Sequence, residues 1–191
     1  MNMDREDRID VEIFKTVSRA IAASDNLEIM THQLSQLLVA ALEIKGCTIF
    51  VLNPTTKELE RLTSFGLSAT YLSKGPVLSD KSVSSALSGT PVIIRDVSKD
   101  NRLQYPTEAI EEGIAAMLSI PIRFAGDTLG VLRLYHHEVW DISERDCESL
   151  LILAEHIGLS LQYTRLLNAV QTVSDAIEGL APESPRSSGS N

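Results

Sequence analysis

Residues 112–135, EGIAAMLSIPIRFAGDTLGVLRLY, constrain this chain more than any other stretch. They read as two strands, MLSIPIRF and TLGVLRLY, joined by a tight turn at Gly126-Asp127. Both are rich in Leu, Ile and Val, with Ser119, Arg123 and Arg133 interspersed, as suits a half-polar pleated surface. A hairpin of this kind needs further strands and a helical cover before it is stable.

The flanking sequence supplies both. Residues 4–23 carry Ile9, Ile13, Val17, Ala20 and Ile21 on one broad helical face. Asp25 reads as an N-cap with Glu28 completing a capping box, and a second helix then runs to Ile44, where Gly46 breaks it. Residues 47–52 form a strand, Asn53-Pro54 a turn, and residues 58–65 the partner strand. Short helical turns follow at 67–72 and 83–87, then a strand over 91–95 and a polar segment. Pro106 opens a helix that Gly113 closes. After the hairpin, Ser143 and Asp146 form another capping box for a helix running to about Leu180. The fold class is α+β: a mostly antiparallel sheet with helices on both faces and long helices at its two ends.

At 191 residues the chain suits one domain plus tails, with a core that needs no disulfide or metal. Its two cysteines, Cys47 and Cys147, have no metal-ligand spacing and fit a reducing compartment. No apolar run reaches about 18 residues, and the first ten residues are highly charged, so the expected location is cytoplasmic. A net charge of −9 argues against nonspecific nucleic-acid or anionic-membrane binding. No GxSxG, HExxH or glycine-rich phosphate loop is present.

In order and spacing, GCTIFVLN with ELERLTSFGL, SALSGTPVIIRDVSKDNR, EEGIAAMLSIPIRFAGDTLGVLRLY and DISERDCESLLILAEHIGLSL resemble the GAF family of small-molecule-sensing domains. The resemblance implies a sheet of about five or six strands, one face covered by the first and last helices, the other holding a pocket roofed by the small helices. It also implies a noncatalytic sensor signalling through flanking helices of a dimer, with an unidentified small-molecule ligand and no assigned cofactor. Specialised branches fit poorly. The cyclic-nucleotide signature is untraceable, neither cysteine has bilin-attachment neighbours, and two separated cysteines do not make the cluster that methionine sulfoxide reduction needs.

The candidate ligand-binding residues are Arg95, Tyr105, Ser119, Arg133 and Tyr135; no catalytic or metal residue is assigned. Arg133 and Tyr135 share a strand face with Leu129 and Val131, and a buried guanidinium there either pairs with a carboxylate or grips an anionic or carbonyl ligand. A two-residue turn at Gly126-Asp127 puts Leu118 and Ile120 on that face, whereas a three-residue loop with a bulge brings Ser119 there. Arg95 and Asp96 are placed at the pocket rim, or as a surface pair with a turn-forming aspartate. Tyr105 precedes Pro106 and leans towards the pocket. His136 and His137 read as solvated strand-end residues on opposite faces, His32 as a helix-surface residue.

In the last helix Ile152, His156, Leu159, Tyr163, Leu166, Val170, Val173, Ile177 and Leu180 recur in alternating steps of four and three. All but His156 are apolar or aromatic, which makes a coiled-coil seam, expected to be free from Tyr163 onwards. The expected division is residues 1–25 as an N-terminal signalling and dimerisation helix, 26–163 as the GAF-like domain, 164–180 as a coiled-coil extension and 181–191 as a disordered tail. No output domain is readable after Leu180, so the expectation is a fragment of a larger sensor or a domain acting on a partner protein. The alternatives are a dimerisation module with a self-filled pocket, and a thiol-dependent redox enzyme on this fold.

Overall fold

The structure, a computed structural model, describes residues 9, 11–23, 26–53, 55–56, 58–78 and 84–179. Among these, six strands form one antiparallel sheet: β1 (Gly46–Leu52), β2 (Glu58–Phe65), β3 (Val77–Leu78), β4 (Val92–Ile94), β5 (Ala116–Phe124) and β6 (Asp127–His136). Their order is β3-β2-β1-β6-β5-β4. Helices α1 (Val11–Ala23), α2 (Leu27–Ala41) and α6 (Glu144–Gly179) cover one face, and the short α3 (Ala69–Leu72), α4 (Ser84–Leu87) and α5 (Pro106–Glu111) cover the other. The expected α+β architecture is present. β3 carries no sequence signal, because two residues cannot display an alternation.

Period-two alternation divides the strands between two apolar clusters. Cys47, Ile49, Leu118, Ile120, Leu132 and Leu134 face the long helices, meeting Met30, Leu34 and Leu38 of α2 and Leu150, Leu153 and Ile157 of α6. Phe50, Met117, Val131 and Tyr135 face the short helices, meeting Tyr71, Ala86, Ala109 and Ile114. Each such buried side chain contributes roughly 1.5–3 kcal/mol of transfer free energy, set against the entropy of ordering it.

Both ends of α2 depart from the sequence reading, whereas the start of α6 follows it. Asn26, not Asp25, caps α2, its side chain accepting from the backbone N–H groups of Glu28 and Ile29 at 3.0 and 3.1 Å. Asp25 lies outside the described residues, as do most of residues 1–10 and the 181–191 tail. α2 stops at Ala41 rather than Ile44: Glu43 takes a left-handed φ of 51°, and the Ile44 N–H returns to the Val39 carbonyl at 3.2 Å. That is a Schellman closure with glutamate where glycine is usual, and Gly46 is freed to begin β1. At α6, Ser143 Oγ accepts from the Asp146 N–H at 3.0 Å, as a capping box requires. The buried Asp146 carboxylate also accepts from the Ile9 N–H at 2.8 Å, so the approach to α1 is tied to the start of α6.

The hairpin turns at Ala125-Gly126, one residue earlier than the sequence suggests. Both have positive φ, 49° and 93°, the signature of a type I′ turn. Pairing runs Phe124↔Asp127 and Arg123↔Thr128, then shifts so that Ile122 meets Gly130. Leu129 is the extra residue of that bulge. It packs with the long-helix cluster, away from Val131 and contrary to the face expected for it.

Candidate functional site

The shifted register decides what faces the short helices. It sets Ser119 of β5 opposite Arg133 of β6, while Thr48 of β1 lies opposite Arg133 on the other side and Ser64 of β2 opposite Thr48. A polar row therefore crosses four strands inside an apolar layer. Arg133 is 4% exposed; its Nε donates to Ser119 Oγ at 3.1 Å and its guanidinium carbon stands 6.0 Å from the Phe50 ring centre. Thr48 and Ser64 share a hydroxyl hydrogen bond of 3.0 Å.

Tyr135 is buried two residues along β6 from Arg133, with the Tyr71 ring edge-on to its own at 5.9 Å. Burial pushes both phenols up. At Tyr135 the Arg133 charge and hydrogen bonding from Thr48 and Arg133 pull the other way; at Tyr71 the neighbouring Tyr135 adds to burial. Both rings are neutral donors at ordinary pH.

The rim is built by the segment after α3. Lys74 Nζ donates to the Tyr71 carbonyl at 3.1 Å and stands 3.6 Å from the Tyr71 ring centre and 5.8 Å from that of Tyr105. Burial first, then the charges of Arg133 and Arg61, lowers its ammonium to about 8, against the pull of Glu108 and Glu112. Half-buried Tyr105 donates to the Pro76 carbonyl at 2.9 Å, and Gln104 donates to the same carbonyl at 3.1 Å. Gly75 fits here because a Cβ would lie 2.7 Å from the Tyr105 hydroxyl and its φ is +124°. Glu112 joins α5 to the cap of α3, accepting from the Ser68 N–H at 2.9 Å and from its hydroxyl. Burial opposes ionisation of Glu112, but the Ser68 hydrogen bonds and Lys45 hold it below the ordinary carboxyl range.

Of the five sequence-derived candidates, Ser119, Arg133 and Tyr135 are brought together on this face, and Tyr105 stands at its rim. Arg95 lies apart. It is exposed, donates to Asp141 at 2.8 Å, and borders a separate hollow of about 330 Å³ with Ile93, Cys147 and Leu151. Asp96 is turn-forming, accepting from the Ser98 N–H at 3.0 Å and pairing with Lys99 at 2.7 Å.

The histidine reading needs correction. His136 is 2% exposed, its Nδ1 accepting from the Glu138 N–H at 2.9 Å and its ring 5.2 Å from that of Trp140. His137 lies past the strand end and stacks on His136 at 4.7 Å, so the alternation rule does not govern the pair. His32 is exposed, as expected. Among the described residues no group of three or more His, Cys, Asp or Glu side chains is arranged to hold a metal ion.

A family model described as the GAF domain matches residues 24–162. The chain belongs to the GAF domain family. Among solved structures it is similar to the GAF domain of a phosphoenolpyruvate-protein phosphotransferase from Coxiella burnetii: 21% identity, TM-score 0.74, covering 83% of this chain and 96% of that one. The GAF domain of an Acinetobacter phosphoenolpyruvate-protein phosphotransferase gives 18% identity, TM-score 0.71 and coverage of 82% and 94%. Free methionine-R-sulfoxide reductase from Neisseria meningitidis, solved with its substrate, gives 15%, 0.70, 82% and 90%. At these identities the likeness is one of fold. No curated protein matches the sequence.

In this GAF domain burial favours the protonated form of both thiols. Burial pushes Cys47 up to about 12, against a hydrogen bond with Ser35; burial also raises Cys147, with the Glu148 charge adding to it. Among the described residues no helix is long and apolar enough to cross a membrane. Thr48, Ser64, Tyr71, Lys74 and Glu112 escape the sequence reading; for all but Lys74 the informative partner is distant in the chain or across the sheet. Lys74 alone has a local signal: three residues after Tyr71 and just past the C-cap of α3, its chain passes over that ring.

Proposed function

We propose that this chain is a noncatalytic regulatory GAF domain that binds a small molecule on the short-helix face of its sheet and signals as a homodimer through α6. The observation that carries the reading is the polar row Ser119–Arg133–Thr48, held inside an otherwise apolar layer. A buried guanidinium costs several kcal/mol in desolvation that a Met or Leu would avoid, which is reasonable where the charge serves recognition. Ser119, Arg133 and Tyr135 are the proposed ligand contacts, with Tyr105 and Lys74 at the entrance.

The assembly has separate support. Tyr163, Leu166, Val170, Val173 and Ile177 are all exposed along α6, and Ile152 and Leu159 are exposed too, ahead of Tyr163, from which the seam is expected to be free. The residues that bury α6 on the sheet, Leu150, Leu153, Ile157 and Leu161, lie on another face of the helix. A heptad-spaced apolar stripe of this length suits a second copy of the same helix. Ligand-dependent packing on one face of the sheet would then bias the pose of α6 on the other, by no more than the ligand's differential affinity.

One observation favours a second reading. Tyr71, Met117, Val131 and Tyr135 are all buried together on the short-helix face, as expected of a dimerisation module whose pocket is occupied by its own side chains. Native mass spectrometry of the protein as purified from cells separates the two. A dimer carrying a noncovalent mass is expected. An empty dimer would favour the dimerisation module, and a monomer would remove the assembly. The redox-enzyme reading is disfavoured by the raised thiols; a thiol-dependent turnover lost in Cys47→Ser or Cys147→Ser would revive it.

A further inference from the structure

The roof of the short-helix face constrains the charge of what it binds. Lys74 has the Tyr71 carbonyl and two aromatic rings as its described partners, with no carboxylate among them. Arg133 lies two residues along β6 from Tyr135, whose ring meets that of Tyr71, beneath Lys74, edge-on at 5.9 Å, and Arg61 on β2 reaches the same segment, its Nη1 donating to the Leu72 carbonyl at 3.1 Å. Glu108 and Glu112 of α5 offset these cations in part, but Glu112 is already engaged by Ser68 and lies 3.5 Å from Lys45. Positive charge thus gathers at one apolar, tyrosine-lined face of a chain whose net charge is −9.

We propose that this face takes a small organic anion, its carboxylate or phosphate held between Lys74 and Arg133 and its flat apolar body set against Tyr71, Tyr135 and Phe50. The proposal rests on the sensor reading of the same face and names the ligand class for it. An anion between two cations in a poorly hydrated layer forms charge-assisted hydrogen bonds that a neutral ligand cannot. Aromatic faces and edges supply dispersion for a planar body. Lys74 carries the signature. Burial and the two guanidinium groups lower its ammonium to about 8, and a bound anion reverses the charge contribution, moving the amine back towards its ordinary value. A neutral ligand deepens the burial and moves it further down.

The test follows the lysine side-chain resonance of Lys74 by NMR through a pH titration, assigned with Lys74→Met, which keeps an apolar stem over Tyr71. The probes are benzoate, phenyl phosphate and uncharged benzamide at millimolar concentration. An upward move of the Lys74 midpoint with either anion is expected, with affinity falling about tenfold or more in Lys74→Met and in Arg133→Met. A response to benzoate alone or phenyl phosphate alone assigns the head group as carboxylate or phosphate. Binding of benzamide as tightly as benzoate, with the midpoint fixed or lowered, overturns the anion class and leaves the sensor reading standing. Failure of all three probes also overturns it; the sensor reading then stands or falls on whether the purified protein carries a neutral noncovalent mass.

Discussion

Arg133 Nε donates to Ser119 Oγ at 3.1 Å across β5 and β6, and this contact exists only because Leu129 bulges out of the ladder. Without the bulge Ser119 would pair with Leu132 and point into the long-helix core. Ser119→Ala removes one acceptor from a buried guanidinium and is expected to destabilise the domain by about 1–3 kcal/mol. Adding Arg133→Met should recover part of that loss, since an apolar pair needs no solvation. Urea denaturation of both singles and the double gives the coupling, and fully additive costs would show that the two side chains do not support each other.

Gly158 lets α6 lie directly on the hairpin: a Cβ there would sit 2.2 Å from the Arg123 carbonyl oxygen. Helix propensity alone makes Gly158→Ala stabilising by about 1 kcal/mol. Overpacking against backbone, which cannot rotate away, costs about 1–3 kcal/mol and sets the sign. A lowered thermal midpoint is the expected result.

The opposite sign is expected at the turn. Ala125 holds a φ of 49° in a type I′ position that favours asparagine before glycine. Ala125→Asn should stabilise the fold by about 0.5–1 kcal/mol without changing ligand binding or assembly. Denaturant melts compared with the parent chain decide this.

Alkaline stability should reveal Lys74. Its folded value of about 8 lies below the 10.5 of an unperturbed lysine, so the unfolded chain binds more protons between those limits. Its unfavourable contribution is full below pH 8 and fades as pH rises to 10.5. Cys47 runs the other way, its value near 12 against an ordinary 9.0 meaning that stability is lost as pH rises through that window. The difference between the parent chain and Lys74→Met cancels Cys47. That difference should shift in favour of the parent from pH 8 to 10.5, and a flat difference would count against the assigned environment.

Leu166 and Val173 are 62% and 60% exposed, so charging them has little to disturb within one chain. The double variant Leu166→Glu/Val173→Glu should convert a dimer to a monomer in sedimentation, while circular dichroism of the domain stays close to that of the parent. A parent chain already monomeric at micromolar concentration would dispose of the α6 seam as an interface.

Much of this architecture was legible in advance, because strand alternation and helix periodicity are local. The hairpin, the β1–β2 pair, the Pro106 helix and the long last helix all stand within a few residues of where apolar spacing puts them. So does the pairing of Arg133 and Tyr135 on one face. Helix ends were less legible: Asn26 and Asp25 are both good caps, and only backbone geometry chooses between them.

The face of Ser119, the seclusion of His136, the separation of Arg95 and the position of Lys74 required the folded chain. A one-residue bulge inverts every side chain beyond it, yet its sequence cost is a single Leu that suits either core. His136 and Arg95 were settled by Trp140 and Asp141, residues that reach them only after the chain has turned back towards α6. The sequence by itself determined which segments alternate and which coil, since those periods are properties of neighbours. The tertiary structure decided which polar groups share a buried layer, because that depends on register between strands and on charges brought together from distant parts of the chain.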